Sequence, residues 1–409
     1  MKSAPPIRKE DAAIRPSILE ERKELFKDLK FGMFVHWSLF SLPGGHRNWA
    51  TPPEAIHRFR AEKFDPDSLV ELAQRSGARY MTFTTKHHDG FCLFSTELTD
   101  FNSTKSPSGE DFVALLADSC RAKGMNLFLY YSLADLHHPG FVKSGEGWRS
   151  YVDYYQGQIR ELCSNYGEVA GFWLDPGPWH GRYYNYALSE TYDLIHDLQP
   201  HALVMGRDFF EFEKKVPELP GQMSMTDDFG EAKPFPVGPP SPSNPPFEVC
   251  ETINDSWNYN PSDLNFKSPE TLIRKLVRIV GAGGNLLLNL APDGSGAIPA
   301  EQEAVFRRIG DWLKHNAASI YSTRPVACTP WGYIVSSPHC LYMHVISQIE
   351  GIIEISGLNK KVCSARRGDE ELGVRRQGQR VLIKLPPGLV DPLDTVIRLD
   401  VDEAKLGHS

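Results

Sequence analysis

Val169–Leu174 reads VAGFWL and runs directly into Asp175-Pro176-Gly177. Before it lies a long helical pattern, Gly147–Tyr166. After it a second one, Tyr184–Leu198, leads to another apolar run, Ala202–Gly206 (ALVMG). A short buried strand, a helix of ten or more residues and another buried strand form a βαβ unit. The pattern extends in both directions. Phe31–Trp37 (FGMFVHW) opens the series. Tyr80–Thr84 (YMTFT) follows the amphipathic Pro66–Ser76, Asn126–Tyr131 (NLFLYY) follows Asp111–Lys123, and Asn285–Leu290 (NLLLNL) follows Thr271–Val280. Six such runs predict an α/β fold of the (β/α)8-like barrel kind, with irregular strands late in the series. A doubly wound sheet is the rival. No G-x-G-x-x-G follows the first run, and polar residues gather just after the runs: His36, His87, His88, Asp175 and Arg207. In a barrel that is the face that carries active sites.

Beyond Arg324-Pro325 the helical patterns stop. Short alternating runs replace them: Gly332–Ser336, Leu341–Ile346, Gly351–Ile355, Gly373–Arg376, Arg380–Leu385 and Thr395–Leu399. They predict a small antiparallel β-sandwich. The expected organisation is a barrel over residues 1–324 and a β-sandwich over 325–409. The proline-rich stretch 233–247 falls inside the barrel, so it reads as a long surface loop, of the kind that often contributes to a site at the barrel mouth.

A chain of 409 residues suits one large domain and one small one. The net charge of −8 excludes nucleic acid or an anionic membrane as the main partner, because both need a basic footprint. No apolar run is long enough to span a bilayer. The polar N-terminal stretch shows no signal-peptide core, and the seven cysteines form no C-x-x-C, so a reduced, cytoplasmic protein is expected. Eight tryptophans suit a site where the C–H faces of a sugar pack on rings. A homo-oligomer is compatible with the sequence, which does not specify one.

Thr84–Phe91 (TTKHHDGF) is the densest polar cluster. Adjacent His87 and His88 point opposite ways in extended backbone, which disfavours a mononuclear metal site and predicts one ring packed beneath the site and one facing it. Neutral imidazoles both donate to and accept from sugar hydroxyls. In Gly171–Trp179 an apolar strand ends in an acid. Asp175 is either a turn or cap residue, as Asp before Pro often is, or a carboxylate presented to a ligand. Trp173, two residues earlier, shares its strand face. His36-Trp37 ends the first run, where a lone histidine is usually structural. With three other polar groups on the same predicted face, the functional reading is the better one. A retaining glycosidase also needs a proton donor about 5–5.5 Å from its nucleophile. Glu211, Glu213, Glu231, Glu248 and Glu251 are the candidates, and spacing does not choose among them.

FGMFVHWSLFSLPG, TFTTKHHDGFCLF, LYYSLADL, GFWLDPG, ETINDSWNYN, GGNLLLNLAPDGSG and IYSTRP occur in this order between Phe31 and Pro325. This ordered set resembles the α-L-fucosidases of glycoside hydrolase family 29. The resemblance implies a (β/α)8-like barrel followed by a β-sandwich, hydrolysis of α-L-fucosides with retention, and no metal or organic cofactor. It makes Asp175 the nucleophile and His36, His87 and His88 ligands of fucose hydroxyls. It adds Trp49, Tyr131, Trp173, Arg207 and Trp257 as further substrate-binding residues. Two departures stand out. Asn48 precedes Trp49 where the family often has Glu. The acid/base element is shortened to Asp228-Phe229-Gly230-Glu231, so Glu231 is preferred on order and spacing and Glu213 comes second. The rivals are a metal-dependent hydrolase on the same barrel, with His36, His87, His88 and Asp175 as ligands, and a fucose-binding homologue with an impaired acid.

Overall fold

The computed structural model describes residues 9–43, 51–143, 147–176, 186–207, 222–226, 246–347, 349–358 and 360–402. Helix α1 (Lys9–Leu29) leads into β1 (Phe31–Val35). Helix α2 (Pro66–Ser76) precedes β2 (Tyr80–Lys86), and α3 (Phe112–Lys123) precedes β3 (Asn126–Ser132). Helices α4 (Pro139–Lys143) and α5 (Trp148–Asn165) precede β4 (Gly171–Asp175). Helix α6 (Leu188–Leu198) precedes β5 (Leu203–Arg207), followed by β6 (Gln222–Thr226) and β7 (Phe247–Thr252). Helix α7 (Pro269–Gly281), β8 (Asn285–Leu290) and α8 (Ala300–Ile320) complete the series. Local chemistry sets these limits. Asp65, Asp111 and Ser268 cap the first turns of α2, α3 and α7 by accepting from backbone N–H groups. Gly77 and Gly124 end α2 and α3 in the left-handed region, at φ 88° and 66°.

All eight strands are parallel, and β1 pairs with both β2 and β8, so the barrel is closed. The expected α/β barrel is the observed one. Strands β6 and β7 are additions to the six apolar runs, because QMSMT and FEVCET carry polar residues where the other strands carry aliphatic ones. Closure divides every strand into two faces. Phe34, Tyr80, Phe128, Tyr130, Trp173, Leu203, Met205, Cys250 and Leu287 pack together inside. The alternate residues, such as Met33, Phe83, Leu129, Phe172 and Leu288, join the helices in a second core outside the barrel. Helix α1 plugs the floor: the Phe26 ring lies 5.3 Å from Tyr80 and 5.8 Å from Phe128.

The remaining strands are β9 (Arg324–Thr329), β10 (Gly332–Ser336), β11 (Leu341–Val345), β12 (Gly351–Ser356), β13 (Val362–Arg367), β14 (Glu370–Gln377), β15 (Arg380–Leu385) and β16 (Thr395–Val401). They pair antiparallel in the order β12-β15-β14-β13-β16-β11-β10-β9. Strand β14 changes partner along its length. Leu372 still pairs with β13, and from Gly373 onward it pairs with β15. The sheet folds over on itself around a core that includes Ile334, Met343, Ile353, Ile383 and Ile397. Strands β9 and β13 extend the six alternating runs of the sequence.

Polar contacts tie this unit to the barrel. His344 Nδ1 meets Asp394 Oδ2 at 2.7 Å, and its Nε2 donates to the Ser319 carbonyl of α8 at 3.1 Å. Burial alone would lower the His344 pKa, but the carboxylate and the carbonyl outweigh it and hold it above the usual value. Arg324 reaches back to Asp28 of α1 at 2.6 Å.

Strand β4 depends on Gly171. A Cβ there would lie 2.1 Å from the Leu203 carbonyl oxygen and 2.7 Å from the Phe128 ring. Gly171→Ala should therefore cost about 2 kcal/mol or more of stability, read as a lower denaturation midpoint. An unchanged midpoint contradicts this tight packing.

Candidate active site

Asp175 is the last residue of β4 and belongs to the ladder itself, paired with Ser132 of β3. The residue is buried, at 5% exposure. Oδ2 accepts from the Tyr130 hydroxyl at 2.8 Å and lies 3.5 Å from His88 Nε2. Of the two sequence readings, the turn or cap residue is not what stands here. The carboxylate is oriented by a tyrosine within the barrel mouth.

His36 follows β1 on the same rim. Asn289 of β8 donates through Nδ2 to the Trp257 carbonyl at 2.7 Å, so its Oδ1 faces His36 Nδ1 at 2.6 Å and accepts from it. That bond places the His36 proton on Nδ1 and leaves Nε2 as an acceptor. Burial depresses the His36 pKa to about 3, so the ring is neutral over the working pH range. Its ring lies 5.2 Å from Trp257, 5.6 Å from His87 and 5.7 Å from Tyr130. Asn289 is a site residue that the sequence reading passed over. Its one signal was a polar residue at an inward position of NLLLNL.

His87 and His88 do not split between floor and site. The chain leaves extended geometry after Lys86, through a register shift in β2 and a turn closed by Gly90 N–H donating to the His87 carbonyl. The two rings end 4.3 Å apart. His87 lies parallel to Tyr130 at 5.3 Å. Burial, reinforced by the neighbouring His88 and His36, holds its pKa well below the usual value. His88 Nδ1 meets Ser132 Oγ at 2.6 Å, which turns Nε2 toward Asp175. Behind this turn the buried Lys86 ammonium pairs with Asp135 at 3.2 Å and sits 4.4 Å from the Tyr131 ring centre. The pair locks the His-bearing segment to the segment after β3.

Tyr131 is a correction. Odd-numbered residues of β3 face outward, and its hydroxyl donates to Gln158 of α5 at 2.6 Å. The tyrosine that reaches the site is Tyr130. Trp173 lies inward as expected, 5.2 Å from Tyr130 and 5.4 Å from Phe34. Together these rings form an apolar floor below a rim of polar groups. Trp257 packs at its edge, 6.3 Å from Phe34.

Two glutamates are excluded as proton donors by their positions. Glu248 is fully buried inside the barrel, with its oxygens facing Tyr80 and Trp173. Glu251 pairs with Lys267 at 3.1 Å and with Lys275. Asn48, Trp49, Glu211, Glu213 and Glu231 lie outside the described residues, as does the side chain of Arg207, which ends β5. Among the described residues no three His, Cys, Asp or Glu side chains form a metal-binding group, and no helix is long and apolar enough to cross a membrane.

The family model described as "Alpha-L-fucosidase" matches residues 9–318. The α-L-fucosidase of Dictyostelium discoideum is 26% identical over 342 residues, 73% of this chain and 71% of that one. The plasma α-L-fucosidase of Homo sapiens is 27% identical, covering 73% and 69%. Among solved structures, α-L-fucosidase isoenzyme 1 from Paenibacillus thiaminolyticus superposes with a TM-score of 0.80 at 28% identity, over 94% of this chain and all of that one. The Thermotoga maritima α-fucosidase, solved with a mechanism-based inhibitor, gives 0.74 at 27% identity, over 93% and 98%.

The His36–Asn289 bond has a direct readout. With its pKa near 3, His36 should show a protonated Nδ1 and no titration between about pH 5 and 8 in nitrogen NMR. A His36 titration step near the ordinary histidine value would contradict the arrangement.

Proposed function

Because this chain belongs to the α-L-fucosidase family, we propose that it is a retaining, exo-acting α-L-fucosidase that removes terminal α-L-fucose from oligosaccharides or glycoconjugates. The observation that carries this reading is Asp175. It is an acid at a barrel strand's C-terminal end, held by Tyr130, flanked by His88 with His87 and His36 beyond it on the same rim, and floored by aromatic faces. Such a pocket offers a sugar both apolar walls and fixed polar groups.

In the first step an Asp175 oxygen attacks the anomeric carbon, and the bond from that carbon to the leaving oxygen breaks. A glutamic acid gives its proton to the leaving oxygen, and a fucosyl ester of Asp175 forms. In the second step water attacks the same carbon, the same group takes the water proton, and the ester bond to Asp175 breaks. Two inversions return the starting configuration. His36 and His87, held neutral by burial, accept from and donate to sugar hydroxyls without adding charge. The Tyr130 hydroxyl fixes the attacking carboxylate and strengthens as an electrostatic partner when that carboxylate leaves in the second step. Glu231 is our preferred proton donor and Glu213 the second. With Glu248 and Glu251 engaged elsewhere, the candidates narrow to glutamates on the segments after β5 and β6. A reducing, cytoplasmic setting is part of the proposal, supported by seven cysteines that form no disulfide.

Asp175→Ala should lower turnover of an aryl α-L-fucoside by about a thousandfold or more while far-UV dichroism stays unchanged. Near-normal turnover would sink the assignment. For the proton donor, azide should rescue Glu231→Ala on an activated aryl fucoside by replacing water in the second step, giving an α-fucosyl azide. Rescue of Glu213→Ala alone would transfer the role to Glu213.

A further inference from the structure

Glu248 is a costly side chain to bury inside the barrel. It has no exposure at all, and burial pushes its pKa up to about 7 although two hydrogen bonds pull the other way. A packed apolar residue of similar volume would serve the fold as well or better, so stability does not account for a carboxyl group there. Its partners show what it does. Oε2 accepts from the Tyr80 hydroxyl at 2.5 Å, and Oε1 accepts from the Trp173 indole N–H at 3.2 Å. Tyr80 stands on the Phe26 and Phe128 rings of the barrel floor, so Glu248 is braced from below.

Trp173 is two residues from Asp175 on the same face of β4. Its ring packs 5.2 Å from Tyr130, whose hydroxyl holds Asp175. An indole in a barrel interior has contacts on both faces, but only its N–H fixes rotation within the ring plane. Among the described residues Glu248 is the acceptor of that N–H.

We propose that Glu248 is a positioning residue of the sugar site: by accepting the Trp173 indole N–H on a carboxyl braced by Tyr80, it sets the ring that walls the pocket beside Asp175. It touches neither sugar nor leaving group, and it acts through Trp173. This rests on the fucosidase reading, since the ring it sets is a wall for fucose.

The test compares Glu248→Leu, Glu248→Gln, Trp173→Phe and the Trp173→Phe/Glu248→Leu pair with the parent chain. L-Fucose affinity is measured by calorimetry, and kcat and KM on an aryl α-L-fucoside are corrected for folded fraction. Loss of one buried hydrogen bond is worth up to about tenfold. Glu248→Leu should weaken fucose binding and raise KM by about that factor, with a smaller change in kcat. Glu248→Gln should stay within about threefold of the parent, because its amide oxygen still accepts the indole N–H. In the double variant the Glu248→Leu change should add nothing to Trp173→Phe, since the interaction is already gone. A purely structural role would lower the folded fraction and leave KM and fucose affinity of the folded protein untouched, which overturns the proposal. Independent, multiplying effects in the double variant overturn it as well. Trp173→Phe reads the same bond from the other side, so fucose affinity unchanged in that variant overturns it even where Glu248→Leu does not fold. A parent that neither turns over the fucoside nor binds fucose removes the functional reading and this inference together. A parent that does both beside an unaffected Glu248→Leu removes this inference alone.

Discussion

Closure of the barrel by the pairing of β1 with β8 is the constraint on which the site depends. A closed sheet has one inside, and the two-residue period of each strand then assigns every side chain to it or to the helix layer. Phe34, Tyr130 and Trp173 meet because all three fall inward at neighbouring levels. Asp175, one inward position above Trp173, is thereby placed over them. The same rule sends Tyr131 to Gln158 and Lys86.

Several polar groups in this interior are satisfied in chains. Asn289 is fixed by the Trp257 carbonyl and in turn fixes the His36 tautomer. Ser132 donates to the Ala134 carbonyl at 2.6 Å and accepts from His88. Lys86 and Asp135 neutralise each other beneath the His87-His88 turn. A buried group without such a partner would cost several kcal/mol or change its charge state. The first two chains also leave one atom each facing the mouth with a defined role. His36 presents an acceptor, and His88 presents Nε2 beside the carboxylate. Preorganisation of this kind lets a site recognise hydroxyl groups without reorganising when they arrive.

Much of this was legible in the amino-acid string. Apolar runs alternating with helical stretches show the barrel because burial on both faces demands continuous apolar residues. Strands β6 and β7 escaped notice because polar residues interrupt their apolar letters, as Glu248 does in FEVCET. Asn289 escaped for the same reason, as one polar letter in a leucine run. The split foreseen for His87 and His88 assumed an extended chain, whereas the backbone turns at that point.

By itself, the sequence determined the class of the fold, the order of its motifs, the family, and Asp175 as an acid at the end of an apolar strand. All of these follow from local periodicity and residue type. The tertiary structure alone decided which neighbour faces inward, Tyr130 rather than Tyr131. It decided which ring atom carries the His36 proton and that Glu248 lies beneath the floor and not beside the leaving group. Those depend on register across strands far apart in the chain. A carboxyl group's role is set by what its oxygens meet, and for Glu248 these are Tyr80 and Trp173, 168 and 75 residues away.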